Sequence, residues 1–247
     1  MYPVLFEIFG RQIGTYGLFM ILGAVAAWIL VRFLAGKENK DITLVFLICI
    51  CGGLIGAFLL RPIMRVPEII MSWERFSQMP LRVFLSFVFG DIVFYGGLIG
   101  GAIAMLLFCK HFKIPVLPIA DVFAPALAVA HGFGRIGCFM GGCCFGAIGN
   151  IPIQLFEAAC LFILAAVLIF VYKKTAVKGL TVCLYGLIYS VLRFILEFYR
   201  GDIARGIYGW FSTSQYISMV LFVVSIVLLC VFVRKKEIAG QARNDDE

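Results

Sequence analysis

The sequence predicts an all-α integral membrane protein with about seven transmembrane helices, its N-terminus outside and its C-terminus cytoplasmic. Three observations carry that prediction. Hydrophobic residues make up 63% of the 247 and charged residues only 14%, for a mean hydropathy of +1.05. Apolar runs recur at about the 20 residues a helix needs to cross a hydrocarbon core roughly 30 Å thick. Finally, the lysines occupy alternate gaps between those runs and no others.

Taken in order, the runs place spans near 13–33, 42–60, 92–109, 115–137, 153–172, 180–199 and 214–233. The fourth is the least regular, because Pro115, Pro118, Asp121 and Pro125 interrupt it. Asp121 is expected to satisfy helix ends. Between spans two and three, the segment Arg61–Arg82, with Ile69, Ile70, Trp73 and Phe76, reads as a short interfacial arm lying on the headgroups. Anchoring is preferred over gating for it. Val83–Gly90 is too short to cross and reads as re-entrant or interfacial. The pentapeptide Gly52-Gly-Leu-Ile-Gly56 recurs at Gly96–Gly100, and its small-residue spacing suits helix packing better than gene duplication. Residues 1–236 are read as a single polytopic membrane domain and 237–247 as a polar cytoplasmic tail. No cleaved signal sequence is read, since Arg11 is the sole basic residue ahead of the first span.

Charge sets the orientation. All nine lysines fall after spans one, three, five or seven, which makes those gaps cytoplasmic by the positive-inside rule. The twelve arginines behave differently: only Arg32, Arg234 and Arg243 lie on the lysine side, while Arg11, Arg61, Arg65, Arg75, Arg82, Arg135, Arg193, Arg200 and Arg205 lie outside or in the outer parts of spans. Topology does not account for that segregation. Arginine presents a planar fork that grips phosphate bidentately, where lysine is a point charge, so an outward phosphate-binding surface accounts for it better. The net charge of +7 follows from membrane orientation and is no argument for nucleic acid.

Two polar clusters lie within apolar spans. In the first, His131 and Arg135 stand four apart ahead of Cys138, Cys143 and Cys144, among glycines that allow close backbone approach. An arginine in hydrocarbon costs roughly 2.5–3.5 kcal/mol, which marks an anion site by default. In the second, Tyr189, Arg193, Glu197 and Arg200 share one face of span six. A self-neutralising stripe and a ligand site both fit it, and one glutamate against two arginines leaves a positive surplus. Glu157, at the outer start of span five, is read as a partner for an arginine rather than a catalyst. The cysteine cluster admits a disulfide from Cys138 to Cys143 or Cys144, an enzyme thiol, or a metal site with His131. The spacing matches no standard zinc pattern, and no metal or cofactor is expected. The other cysteines read as small hydrophobes in spans.

In order and spacing, several motifs resemble the bacterial prolipoprotein diacylglyceryl transferase family over nearly the whole chain. They are Tyr16-Gly17, Tyr95-Gly96-Gly97-Leu98-Ile99-Gly100, Asp121 with Ala124-Pro125, and Gly134-Arg135-Ile136-Gly137-x-Phe139 through Gly146. Gln154-Leu155-Phe156-Glu157, Arg193-Phe-Ile-Leu-Glu197-Phe-Tyr-Arg200 and Ser214-Gln215-x-x-Ser218 complete the set. The chain departs from the family's usual residues at Leu54, Tyr95, Cys138, Cys143 and Ile151, as a divergent branch would.

The resemblance implies transfer of the diacylglyceryl group of phosphatidylglycerol to the lipobox cysteine in a prolipoprotein signal peptide, with release of glycerol phosphate. It implies a multi-pass protein of the bacterial cytoplasmic membrane, in contact with membrane lipid, with its site toward the outer leaflet. Arg135 and Arg193 are then expected on the phosphate, supported by Arg200 and Tyr189, with Tyr16 and Tyr95 donating to the headgroup. Gly146, Glu157 and Glu197 belong to the matched motifs. His131 is the candidate base, or a hydrogen-bonding spacer. A lipid transferase with another donor or acceptor, and a phospholipid or organic-anion transporter, remain the alternative functions. Inverted repeats would favour the transporter, and none is found beyond the pentapeptide.

Overall fold

A computed structural model describes residues 4–8, 11–36, 41–90, 93–142, 152–201 and 207–245. A strand ribbon, β1 (Val4–Ile8) and β2 (Arg11–Gly14), leads into α1 (Thr15–Ala35). Then come α2 (Ile42–Met71), α3 (Trp73–Ser77), α4 (Leu81–Phe89) and α5 (Phe94–His111). α6 (Val116–Met140), α7 (Ile153–Lys174) and α8 (Leu180–Glu197) follow, then the ribbon β3 (Ile207–Tyr208) and β4 (Phe211–Ser212), and finally α9 (Thr213–Asp245). Seven of these helices are long and apolar enough to cross a membrane. The chain is an all-α multi-pass membrane protein, and its two short ribbons lie outside those seven segments. Two compact units are formed, one of Met1–Lys37 with Leu117–Glu247, the other of Glu38–Val116.

In the second unit, α2 and α5 are packed through the two copies of the repeated pentapeptide. A Cβ at Gly56 would run into the Gly96 carbonyl oxygen and the Gly100 Cα, and one at Gly100 would meet the Gly52 carbonyl. The two copies therefore face each other antiparallel with backbone nearly touching backbone, the close approach that small residues permit in lipid. α2 does not stop at residue 60, where the apolar run breaks at Arg61, but continues through Pro62 and Pro67 to Met71. Its 30 residues span about 45 Å, more than a hydrocarbon core requires. An i,i+3 ion pair between Arg65 and Glu68 supports the extension, and the Arg65 guanidinium lies 4.3 Å over the Phe87 ring of α4. The inner half of the expected arm is thus helix continuous with span two. The rest of the arm holds α3, and the short segment Val83–Gly90 makes up most of α4; the two helices fold on each other where Phe76 is buried against Phe84 and Phe87 at 6.2 and 4.9 Å.

In the first unit, α6 is the most enclosed segment. Pro118 falls in its first turn, where a backbone N–H would lack an intrahelical partner anyway, and Pro125 is buried inside it. Of the residues that make this span irregular in sequence, Asp121 and Pro125 are buried, Pro118 is half-buried and Pro115 is exposed. Asp121 is 5% exposed; its Oδ2 accepts from the Gly179 N–H at 2.5 Å and its Oδ1 from Val182 at 3.0 Å. It thus supplies, from a neighbouring helix, the acceptor that α8 lacks at its own N-terminus. Gly179 sits there at φ +91°, a left-handed backbone where a Cβ would also strike the Phe232 ring. α8 and α9 are in close contact where Gly186 lies against Ser225.

Gly56→Leu forces side-chain carbon into the α5 backbone and should destabilise the protein by about 3 kcal/mol or more, read as a lowered unfolding temperature in detergent. Asp121→Ala takes the side-chain acceptor from the buried Gly179 N–H and the part-buried Val182 N–H and should cost about 1–3 kcal/mol by the same measurement.

Candidate functional site

The first unit gathers arginines and glutamates from three transmembrane helices. Arg135 lies in the last turns of α6, Glu157 in the second turn of α7, and Arg193 and Glu197 at the end of α8. Glu157 stands between two of the arginines. Its Oε1 is 3.0 Å from Arg135 Nη2 and its Oε2 is 3.6 Å from Arg193 Nη1. Arg193 Nη2 is 2.8 Å from Glu197 Oε2, which in turn lies 3.6 Å from Arg200 Nη1. α8 ends at Glu197, so Arg200 stands three residues beyond the helix rather than inside it.

Burial grades across the cluster. Arg193, Glu157 and Glu197 are 2–4% exposed, while the side chains of Arg135 and Arg200 keep 14% and 12%. The outer guanidinium groups therefore form the more open side of an otherwise dry network. Among the described residues, the ion pairs of this cluster join three guanidinium groups to two carboxylates, one more positive charge than negative. Arg193 Nη1 makes no hydrogen bond among the described residues, its only neighbour of opposite charge being Glu157 at 3.6 Å. Donors in that state suit a bound anion, and a low-dielectric surround strengthens the attraction.

Aromatic rings form one wall. His131 is buried, its ring edge-on to Tyr189 at 5.1 Å, and Tyr185 stacks on Tyr189 with centroids 5.7 Å apart. Tyr16, at the start of α1, rests against Gly137, where a Cβ would come within 3.2 Å of its ring. The glycine thus admits the tyrosine beside the helix that carries Arg135. Tyr95 belongs to the other unit, in the first turn of α5, with its ring 5.9 Å from Phe94. Gly146, Cys143 and Cys144 lie outside the described residues, so the expected cysteine pairing with Cys138 does too. Among the described residues no three His, Cys, Asp or Glu side chains form a metal-ligating group.

One part of the site is invisible to the charge and span reading. Ser214, in the first turn of α9, accepts a hydrogen bond from Arg193 Nη2 at 3.3 Å. It is introduced by Ser212-x-x-Gln215, a helix-start spacing that the sequence displays openly.

The family model for prolipoprotein diacylglyceryl transferase matches residues 3–231. The phosphatidylglycerol–prolipoprotein diacylglyceryl transferase of Clostridium tetani is 36% identical over 248 residues, covering 92% of this chain and 96% of the relative. The second such transferase of Clostridium perfringens is also 36% identical, covering 91% of this chain and 93% of its own. A Campylobacter jejuni protein of the same name is 28% identical, covering 95% of each. On a match of this extent, joined to seven spanning helices and a buried arginine cluster, the chain belongs to the prolipoprotein diacylglyceryl transferase family.

Proposed function

We propose that this protein transfers the diacylglyceryl group of phosphatidylglycerol to the lipobox cysteine thiol in a prolipoprotein signal peptide, releasing glycerol phosphate. The observation that carries the reading is the buried Arg135–Glu157–Arg193–Glu197–Arg200 cluster, in which guanidinium groups outnumber carboxylates among the described residues and Arg193 Nη1 is buried with no hydrogen-bond partner among them.

The chemistry follows from where charge moves. The cysteine sulfur attacks the glyceryl carbon, a C–S bond forms, the C–O bond to phosphate breaks, and the thiol proton is taken up. Phosphate passes from a diester with one negative charge to a monoester with a second one developing. Guanidinium groups aimed at that phosphate bind the transition state more strongly than the ground state, which is the condition for acceleration. Arg135 and Arg193 hold the phosphate in this reading, with Arg200 and Tyr189 supporting. Tyr16 is assigned to the headgroup, and Glu157 and Glu197 to orienting the arginines. His131 is assigned as base or as spacer.

The positive-inside rule places the lysine-bearing ends in the cytoplasm, so the arginine-bearing ends face outward. In a bacterium that puts the reaction at the outer leaflet of the cytoplasmic membrane. Phosphate and thiol then meet on the side from which a secreted precursor emerges.

Purified protein with phosphatidylglycerol and a lipobox peptide should add a diacylglyceryl mass to the peptide, and a peptide with the cysteine replaced by serine should gain none. Arg135→Lys keeps the charge but loses the fork, and should lower turnover by about a hundredfold; full activity in that variant would remove the phosphate clamp. His131→Gln separates the two histidine roles. A base predicts a loss of about 100- to 10,000-fold in kcat, and a spacer predicts turnover within a few-fold of wild type.

A further inference from the structure

Ser212 and Gln215 close a reciprocal capping box at the start of α9. The Ser212 N–H donates to Gln215 Oε1 at 2.9 Å, and the Gln215 N–H donates to Ser212 Oγ at 3.3 Å. The arrangement satisfies two backbone donors that a helix start leaves open, and both residues are 4% exposed. Ahead of the box, Phe211 packs its ring against Phe194 of α8 at 5.8 Å. One turn later, the Ser218 hydroxyl donates to the Ser214 carbonyl oxygen at 2.8 Å. The first turn of α9 is therefore fixed on both sides of Ser214, whose hydroxyl lies 3.3 Å from Arg193 Nη2.

We infer that Ser214 is a positioning residue for the transfer reaction: held by the Ser212–Gln215 box, it orients the Arg193 guanidinium so that Nη2 is occupied by Glu197 and Ser214 while Nη1 faces the phosphate. The inference rests on the assignment of Arg193 to the phosphate.

The physical case has two parts. Glu197 contacts Nη2 from the same helix at 2.8 Å, while Glu157 stands 3.6 Å from Nη1, too far for a hydrogen bond, so without Ser214 the planar fork is hydrogen-bonded at one point and still pivots. A second acceptor from a different helix fixes the plane, and a misplacement of about 1 Å in such a site costs on the order of a hundredfold in rate. The acceptor is also neutral. A third carboxylate at this position would hold Arg193 equally well but cancel the cluster's single surplus charge, and with it the attraction for phosphate. A hydroxyl orients the arginine without neutralising it.

The test uses the full-length protein in lipid nanodiscs with phosphatidylglycerol and a lipobox peptide, measuring kcat and KM for the lipid separately. Ser214→Ala should lower kcat about tenfold or more, the usual weight of a hydrogen bond to a charged group, with a smaller change in KM. Ser214→Thr retains the hydroxyl and should stay within about threefold of wild type. In an Arg193→Lys background, where residual turnover is read by prolonged labelling, adding Ser214→Ala should cost no more than about twofold further, because both act on one interaction. Should Ser214→Ala not fold, Ser214→Gly carries the same comparisons. Full activity of Ser214→Ala overturns the inference, as does an equal loss in both backgrounds, while leaving the assignment of Arg193 intact. Full activity of Arg193→Lys alone instead defeats the assignment of Arg193 to the phosphate, and the inference falls with it.

Discussion

Placing an arginine inside a membrane-crossing helix costs roughly 2.5–3.5 kcal/mol on insertion scales, and this protein places two of them where α6 and α8 converge. The carboxylate of Glu157 lies between them, 3.0 Å from one and 3.6 Å from the other. That contact constrains much else. α6, α7 and α8 must bring these side chains to one depth and face, or a charge is left buried and alone. Removing one partner of such a buried pair typically costs about 3–5 kcal/mol, yet replacing a whole buried ionic cluster with well-packed apolar residues is often neutral or stabilising by about 1–4 kcal/mol. Stability therefore gives no reason for the cluster to exist. What it provides that apolar packing cannot is a buried set of ion pairs in which, among the described residues, guanidinium groups outnumber carboxylates by one.

α8 is held near both ends by carboxylates from other helices. Asp121 of α6 accepts the N–H groups of Gly179 and Val182 at its first turn, and Glu157 of α7 meets Arg193 near its last. Those attachments are separated by most of the helix's 18 residues, or about 27 Å of rise. Fixed at two distant points, the helix can neither slide nor rotate freely. The spacing of Tyr189, Arg193 and Glu197 along it then becomes a spacing in the site. The α9 capping box adds a third point of control, applied to the arginine itself.

The spans were legible because the length of an apolar run is a property of the run alone; helix bounds differ from the sequence reading by only a few residues, except where α2 runs on past Pro62 and Pro67 and where α9 continues past residue 233 to Asp245. Prolines read as stop signals in isolation, but here flanking apolar residues and the Arg65–Glu68 pair carry the helix through. The stripe on α8 was legible for a similar reason, since four-residue spacing fixes a face. The double engagement of Glu157 was not, because its two arginines lie on different helices and no local pattern connects them. Span four looked irregular for the same cause: Asp121 and Pro125 make sense only against the protein that encloses them. Ribbons of two to five residues per strand are too short to show a period. The capping box was written in plain spacing, but its purpose depended on Arg193 lying across the helix pair.

Charge accounting links the cluster to the proposed reaction. A phosphodiester with one negative charge neutralises a pocket with one positive surplus, so lipid enters without leaving net charge in a low-dielectric site. As the C–O bond breaks, the leaving phosphate gains a second negative charge, and at the same moment the thiol gives up a proton. If a pocket group takes that proton, the pocket reaches two positive charges as the phosphate reaches two negative ones. If the phosphate itself takes it, the leaving group departs with a single negative charge. Either route keeps the site electrically balanced from substrate to product, which a pocket with equal numbers of arginines and glutamates would not. In the proposed site the two glutamates are compatible with anion binding because, among the described residues, they are outnumbered by one, and the role proposed for them is to set where that one charge is felt.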